Sequence, residues 1–339
     1  MKQDSLRPLI QLRDFLIRRP WPQAGPFRLW VDITSRCNLG CPACAQRLLP
    51  VEERRDMPED LLDFLTAQVA DLAIPEVNLF HRGEPLLHPR FGQWARRFRK
   101  TGALLRVHSN ATLLDRDRTN AVLEAAPHLF TCSVDTLDPA SYAASRPGAD
   151  LPGTLVGLER LLIQRSCRGL IQPKVNLLLM GRQTESLEAK ARLMMLKSLG
   201  IDRVIWRRPH NWAGALGPVA GGKLHACTFP WYGLAVLSDG RVTPCPQDFL
   251  GQMVLGRIDE QPLRDIWRGE EARKLRQAHA SLDLAEYPVC RACDRIRRPT
   301  MLGVPLEHLH NFLVESIFGW PGRPWAKPWK KWNLISERA

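Results

Sequence analysis

The 339-residue sequence lacks any uninterrupted apolar stretch long enough to cross a bilayer. Its first residues also lack the apolar core of a signal peptide, since Asp4, Arg7, Arg13 and Asp14 interrupt every apolar run. Internal repeats and low-complexity tracts are absent as well. We therefore expect a globular, cytoplasmic protein, and a hydrophobic content of 45% allows one large domain with a small appendage.

The formal net charge of +13 is concentrated at the two ends. Residues 1–28 carry six Lys or Arg and two Asp, and residues 320–339 carry five Lys or Arg and one Glu. The first segment predicts a basic amphipathic helix, and the second is rich in Trp and Lys. Such ends suit termini packed over a core, or peripheral contact with a membrane or a lipid-linked substrate, whereas a nucleic-acid partner is disfavoured.

Apolar runs and helical patterns alternate between residues 27 and 220. The predicted strands are 27–33, 76–80, 104–108, 129–134, 174–180 and 203–206. The predicted helices are 58–73, 91–101, 115–126, 153–165 and 184–199. Six alternations predict an α/β fold with a parallel sheet, either open or curled into a partial barrel. In such sheets the functional residues follow the carboxyl ends of the strands.

The pattern changes after Trp212. The glycine-rich stretch 214–222 is typical of a linker, and a hairpin across 231–244 is expected to begin a different unit. Four of the nine cysteines follow residue 226, which predicts a small domain stabilised by a bound metal. The expected segments are a basic N-terminal segment, a barrel, a metal-binding domain and a basic Trp-rich tail, at 1–24, 25–220, 221–305 and 306–339.

Three cysteines follow the first predicted strand on one loop, with the spacing Cys37-x3-Cys41-x2-Cys44. Three thiolates can hold three irons of a 4Fe-4S cluster and leave the fourth iron without a protein ligand. The alternatives are a zinc knuckle or an electron-transfer cluster, each of which needs a fourth ligand such as His81 or His88.

This triplet resembles that of the radical S-adenosylmethionine (SAM) superfamily, whose members share a partial (β/α)6 barrel. The string Arg82-Gly83-Glu84-Pro85, after the second strand, resembles the loop that receives the amino group of SAM in that family. The resemblance also assigns SAM contacts to later strand ends, at Ser109, Asn110, Ser133, Asp135, Arg146 and Asn176. Two departures are Ala43, where the family often has an aromatic residue, and Arg82, where it has glycine.

A second set of four cysteines has the spacing Cys227-x17-Cys245 and Cys290-x2-Cys293. Four thiolates saturate either zinc or a 4Fe-4S cluster. The set resembles a SPASM or twitch domain with one auxiliary cluster, similar in cysteine spacing to the 2-deoxy-scyllo-inosamine dehydrogenase type. A saturated cluster favours electron transfer over substrate ligation, with a purely structural role as the alternative. Cys132 and Cys167 are interpreted as small buried or incidental residues.

The resemblance implies reductive cleavage of SAM to a 5'-deoxyadenosyl radical that abstracts hydrogen from the substrate, driven by a reductase or a flavodoxin- or ferredoxin-type donor. We predict an oxidoreductase that dehydrogenates a carbohydrate-like metabolite, with the auxiliary cluster as electron acceptor. The alternatives are peptide modification, a redox-neutral epimerisation or rearrangement, and a non-catalytic metal-stapled protein that binds nucleic acid or membrane. The candidate substrate-facing residues are His210, Asn211, Trp212 and Asp248.

Overall fold

The computed structural model describes residues 6–180, 186–218, 221–301 and 304–306. Its strands are β1 Arg28–Val31, β2 Glu76–Leu79, β3 Leu104–Ser109, β4 Leu129–Asp135, β5 Lys174–Met180, β6 Arg203–Arg207, β7 Gly233–Val236, β8 Arg241–Thr243, β9 Gly256–Arg257, β10 Thr300–Met301 and β11 Val304–Pro305. Its α-helices are α1 Arg7–Leu16, α2 Glu59–Asp71, α3 Phe91–Lys100, α4 Arg116–Ala125, α5 Pro139–Ser145, α6 Leu151–Cys167, α7 Leu187–Ser198, α8 Phe229–Tyr232, α9 Leu263–Arg268, α10 Glu270–Ser281 and α11 Pro288–Arg291. Short 3-10 helices are Ala45–Leu48, Val51–Glu53, Pro85–Leu87 and Asp294–Arg297.

The central sheet has the strand order β6-β5-β4-β3-β2-β1-β7-β8-β9. Strands β1 to β6 are parallel to their neighbours, and helices connect most of them, so the predicted α/β partial barrel is confirmed. Each of the six predicted strands overlaps an observed one closely. Helix α5 was not predicted, because its seven residues are too few to carry a clear helical period.

The strands have an apolar outer face and a polar inner face, because successive residues of a strand point to opposite sides. On β2, Val77 and Leu79 belong to the apolar core, whereas Asn78 lines the interior of the barrel. On β3, Val107 is in the core, and the two flanking residues line the interior. The inner wall of the barrel is therefore suited to bind a polar ligand.

The hairpin of β7 and β8 continues the barrel sheet, and the expected start of a different unit near residue 221 stays a prediction. Strand β7 pairs in parallel with β1, from Arg28 opposite Gly233 to Val31 opposite Val236. The pairing continues past the strand end, where the amide of Asp32 donates to the carbonyl of Val236 at 2.9 Å. The physical reason is that β1 would otherwise be an edge strand with unpaired backbone groups.

Helix α1 covers the strand-start end of the barrel, and the predicted N-terminal helix is thereby confirmed. Phe15 meets the ring of Trp231 edge-on at a centroid distance of 5.5 Å, and Gln11 donates to the carbonyl of Gly25 at 2.9 Å. The apolar side chains of Leu9 and Ile17 remain exposed on the other face. The Trp-rich tail lies outside the described residues, and none of the helices in the described ranges is long and apolar enough to span a membrane.

Substitution of Gly233 by alanine should destabilise the fold. An added Cβ would lie 2.3 Å from the carbonyl oxygen of Arg28 and 2.9 Å from the indole of Trp30, so strands β1 and β7 would have to separate. Overpacking of this kind costs about 1–3 kcal/mol. Urea unfolding should give a lower midpoint for Gly233→Ala, whereas Gly25→Ala, whose Cβ meets nothing within 4 Å, should unfold like the unmodified chain. Equal midpoints for the two variants would contradict the role of this pairing.

Candidate active site

The cysteine triplet lies in the loop that follows β1. The amide of Cys44 donates to the carbonyl of Cys41 at 3.0 Å, so the last two cysteines share one tight turn. Burial, together with smaller contributions from Glu84 and from the thiols of Cys44 and Cys41, raises the pKa of the Cys37 thiol to about 12. Burial likewise raises the pKa of Cys44 to about 11. The three thiols are therefore close enough to interact electrostatically.

Gly83 is the point of closest approach between the triplet loop and the loop after β2. A Cβ at this position would lie 2.2 Å from the carbonyl oxygen of Thr34 and 2.4 Å from that of Arg36. The next amide, of Glu84, donates to the carbonyl of Arg36 at 2.9 Å. Only glycine permits this approach, which explains its place in the predicted SAM loop.

The carboxylate of Glu84 fixes the end of β3 beside the triplet. It accepts hydrogen bonds from the hydroxyl of Ser109 at 2.8 Å and from the amide of Asn110 at 2.7 Å. Burial raises the pKa of Glu84, and these hydrogen bonds oppose the increase. The side-chain amide of Asn110 donates to Asn38, between the first two cysteines, at 2.9 Å. Ser109 and Asn110, two of the predicted SAM-contact residues, are thus next to the triplet.

Arg146 and Asp135 form a paired group on the other side of the triplet. Arg146 Nε and Nη2 each lie 3.0 Å from an oxygen of Asp135. The guanidinium is close enough to Cys41 to lower the pKa of its thiol, against the increase that burial causes. Ser133 and Asn176, also predicted to contact SAM, lie on the adjacent strands β4 and β5.

The side chain of Arg82 forms ion pairs with acidic residues of other segments. Its Nε lies 2.9 Å from Asp32, its Nη1 lies 2.8 Å from Glu53, and the residue is only 2% exposed. Glu53 also receives Arg241 of β8 at 2.7 Å. Any contact of Arg82 with SAM is thus left to its backbone, and its guanidinium links the loop after β2 to β1 and to the hairpin.

The second cysteine set is also brought together. Burial raises the pKa of Cys245 and Cys290, and in each case the thiols of Cys227 and Cys293 add to the increase. The amide of Cys293 donates to the carbonyl of Cys290 at 3.1 Å, so the closing pair shares one turn. Four thiols from three separated segments therefore lie close to one another.

His81 and His88, the candidate fourth ligands of a zinc site at the triplet, make other contacts. Within the described ranges, no three His, Cys, Asp or Glu side chains are close enough to hold one ion. His81 bonds instead to the carbonyl of Pro246 at 3.0 Å, and His88 packs on Trp94 at 3.9 Å between ring centroids. A cubane cluster binds each thiolate at a different iron and so keeps the sulfurs further apart than a single zinc ion does. The two thiol sets fit such clusters.

One cavity of about 190 Å³ lies inside the barrel, lined by neighbours of the second cysteine set and by a residue that contacts the triplet loop. Its lining includes Thr228, which follows Cys227, and Gln247, two residues after Cys245. It also includes Trp212, whose indole N–H donates to the carbonyl of Ala43 at 2.8 Å, directly before Cys44. An aromatic side chain from a distant loop is thus adjacent to the position where the triplet loop itself has only alanine.

Two of the four candidate substrate-facing residues line this cavity, His210 and Trp212. Asn211 does not, because its side-chain amide donates to the carbonyls of Ala292 and Gly217 at 2.7 and 3.2 Å. Asp248 does not either: it accepts from the amides of Gln252 and Met253 and lines a second pocket. Both side chains shape loops of the C-terminal region.

The cavity also contains residues that sequence reasoning missed. Its lining includes His81, considered above only as a zinc ligand, with Gln247 and the polar strand residues Arg28, Arg106, His108 and Arg207. The available signal was the period-2 pattern, since Arg106 and His108 alternate with core residues on β3. That pattern alone does not indicate which face of a buried parallel strand points into the barrel.

A partial barrel with a thiol triplet after its first strand, a loop after its second strand that approaches the triplet at Gly83, and a further set of four thiols is the arrangement expected of an iron-sulfur protein. The comparisons agree: residues 31–162 match the model of the radical SAM superfamily, and residues 227–294 match that of the SPASM iron-sulfur cluster-binding domain. The chain belongs to the radical SAM superfamily and carries a SPASM-type C-terminal domain. Its cofactors are therefore a 4Fe-4S cluster with SAM and additional iron-sulfur in the SPASM domain.

Relatives differ in what their names describe. The tungsten-containing aldehyde ferredoxin oxidoreductase cofactor-modifying protein of Pyrococcus furiosus is 29% identical over 181 residues, which is 52% of this chain and 50% of that protein. The crystal structure of BtrN in complex with AdoMet and 2-DOIA superposes with a TM-score of 0.56 at 20% identity, covering 80% of this chain and 94% of BtrN. Streptococcus suis SuiB bound to the precursor peptide SuiA gives 0.62 at 13% identity, covering 89% and 79%. The chain thus spans half of its curated relative, and the two structures bear on the fold alone.

Gly83→Ala should weaken SAM binding without loss of iron. The added Cβ would push the loop after β2 away from the triplet loop, which displaces Glu84 and the end of β3. We expect at least a tenfold weaker equilibrium affinity, about 1.4 kcal/mol, in anaerobic binding measurements. Gly40→Ala is the matched control, because it lies within the triplet loop and its Cβ meets nothing within 4 Å. Unchanged SAM affinity of Gly83→Ala would argue against this loop as the SAM site.

The iron content of cysteine variants should show how much iron each of the two thiol sets binds. After anaerobic reconstitution the unmodified chain should hold about eight irons, four in each cluster. Replacement of Cys37, Cys41 and Cys44 by alanine should leave about four, and so should replacement of the four later cysteines. Cys167→Ser should retain all of them, since Cys167 is exposed and outside both sets. A full iron content in either multiple variant would contradict the ligand assignment.

Proposed function

We propose that the protein is a SAM-consuming oxidoreductase that dehydrogenates a small, carbohydrate-like metabolite, with a single auxiliary cluster on Cys227, Cys245, Cys290 and Cys293 as electron acceptor. The observation that carries this proposal is the barrel cavity, which is lined by Thr228 and Pro246, the neighbours of Cys227 and Cys245, and by Trp212, whose indole contacts the triplet loop. A substrate bound there would lie near both cysteine sets. Hydrogen removal and electron removal can then act on the same bound molecule.

When bound, the triplet cluster and SAM supply a 5'-deoxyadenosyl radical that removes one hydrogen atom from a substrate carbon. Net oxidation then requires the loss of one electron, to the auxiliary cluster, and of one proton. A reductase or a flavodoxin- or ferredoxin-type protein supplies the initiating electron. The role of this chain is to orient the substrate and exclude water while these transfers occur.

His81 is suited to receive the hydroxyl group that loses its proton. The carbonyl of Pro246 can only accept, so His81 Nε2 carries the proton of that hydrogen bond and Nδ1 has the lone pair. Burial lowers the pKa of His81 to about 4, which keeps the ring neutral at physiological pH. Nδ1 is buried and has no hydrogen-bond partner among the described residues. A substrate hydroxyl can donate to it and lose its proton along that bond.

The size of the cavity supports a small metabolite over a ribosomal peptide. A volume of about 190 Å³ is below that of sites that enclose drug-sized ligands. A peptide would place one side chain there and would need an outer groove for its backbone. The walls combine aromatic rings, such as Trp30 and Phe80, with polar groups, which is typical of sites that orient a compact ring.

SAM cleavage tests the first half of this proposal. The reduced, reconstituted protein should form 5'-deoxyadenosine from SAM, and the variant without Cys37, Cys41 and Cys44 should form none, as measured by chromatography. The variant without the four auxiliary cysteines should still cleave SAM but should not complete substrate oxidation. SAM cleavage by the triplet variant would overturn the assignment.

The oxidation itself is tested with a panel of monosaccharides, sugar acids and sugar phosphates. A substrate should accelerate 5'-deoxyadenosine formation and yield a product lighter by two hydrogen atoms in mass spectrometry. His81→Phe should lower the rate of product formation more than that of uncoupled SAM cleavage, because the acceptor for the substrate hydroxyl is lost, together with the hydrogen bond to Pro246. A product of unchanged mass would instead indicate epimerisation or rearrangement, and acceleration only by peptides would indicate peptide modification.

A further inference from the structure

Positive charge is concentrated on the wall of the barrel cavity. Four arginines line it, and no Asp or Glu side chain is among its described lining residues. Arg28 and Arg106 are buried on β1 and β3, Arg207 is exposed at the end of β6, and Arg295 follows the closing cysteines. Four distant segments thus contribute the same type of side chain to one small space.

Three of these arginines line the same cavity as His108 and interact with it electrostatically. The imidazole stacks on Phe80 at 3.8 Å between ring centroids, on the inner face of the barrel. Burial lowers the pKa of His108 well below its ordinary value, and Arg207, Arg106 and Arg28 lower it further. The ring is therefore neutral, and its surroundings are positive. A region of this kind attracts anions.

Arg28 and Arg106 also contact one carboxylate of the fold, that of Glu76. Arg28 Nε donates to Glu76 at 2.6 Å, and Arg106 Nη1 lies 3.6 Å from the same oxygen. These three side chains together carry one net positive charge. Because a guanidinium has five N–H donors in a planar fork, an arginine can bind an anion in addition to its contacts within the protein.

Two buried acceptor atoms indicate which other groups the ligand carries. Gln247 Oε1 and His81 Nδ1 are both buried and lack hydrogen-bond partners within the described part of the chain. Both residues line the cavity near the auxiliary thiols. A buried acceptor without a partner is costly unless a ligand or water donates to it. Hydroxyl groups of a substrate are suitable donors.

We infer that the cavity binds a small hydroxylated anion, whose carboxylate or phosphate group is held by Arg28, Arg106 and Arg207 beside His108, and whose hydroxyl groups donate to His81 and Gln247. The anionic group takes no part in the chemistry and fixes the orientation of the substrate. This inference rests on the proposed function, since it takes the cavity as the substrate site.

Binding of inorganic phosphate and of malonate to the reconstituted protein tests the inference, by anaerobic calorimetry in the presence of SAM. We expect saturable binding of at least one anion at low ionic strength, and at least about tenfold weaker binding to Arg106→Gln and to Arg207→Gln. The matched control is Arg257→Gln, which removes an arginine paired with Asp259 outside the cavity. Loss of the buried Arg106 could impair folding. Arg207 is exposed, so the Arg207→Gln variant should fold and still test the inference.

The two probes also distinguish the source of the charge. Tighter binding of phosphate supports a phosphorylated substrate, and tighter binding of malonate supports a sugar acid. Equal affinities of the unmodified protein, Arg207→Gln and Arg257→Gln would overturn the inference, and so would binding of neutral myo-inositol without binding of either anion. SAM cleavage is measured on the same preparations to separate the two proposals. If the protein cleaves SAM but binds neither anion, the radical SAM activity stands and only the inference of an anionic substrate is overturned.

Discussion

The parallel pairing of β7 with β1 is the contact on which the arrangement of the site depends. Strand β1 leads into the cysteine triplet, and β7 lies between Cys227 and Cys245. The parallel pairing fixes β7 beside β1, and the antiparallel β8 then leads the chain to Cys245, so the hairpin between the first two auxiliary cysteines has a fixed position relative to the strand that leads into the triplet. The two segments that match separate family models are thus joined through one continuous sheet.

A buried ionic network strengthens this connection where the strands end. Arg82 joins Asp32 at the end of β1 to Glu53, and Arg241 of β8 reaches the same Glu53. The hydroxyl of Ser238, just after β7, lies 3.4 Å from Arg82. Buried ion pairs contribute little net stability but penalise any arrangement that separates their partners. The arginine that replaces the usual glycine therefore helps to hold the SAM loop in a fixed position relative to the C-terminal hairpin.

The sequence was sufficient for the local features of the molecule and insufficient for its long-range ones. Six strands, the triplet and the spacing of the later cysteines are encoded within short segments, and the predicted strands and their order agree with the structure. The place of β7 in the barrel sheet was missed because strand pairing between residues 28 and 233 leaves no local pattern. Asn211 and Asp248 follow strand or cysteine positions that suggested substrate contact, yet their side chains bond to nearby backbone. The arginines of the cavity were missed for the same reason as β7, since nothing local connects residues 28, 106, 207 and 295.

Helix α1 has a consequence for the construction of the cavity. Its buried side chains Gln11 and Phe15 line the cavity from the strand-start end, and Arg7 holds the helix there through the carbonyl of Ala73 at 2.9 Å. One wall of the cavity is therefore built by residues that precede the first strand of the sheet. A change in this helix would alter the shape of the cavity without touching either cysteine set.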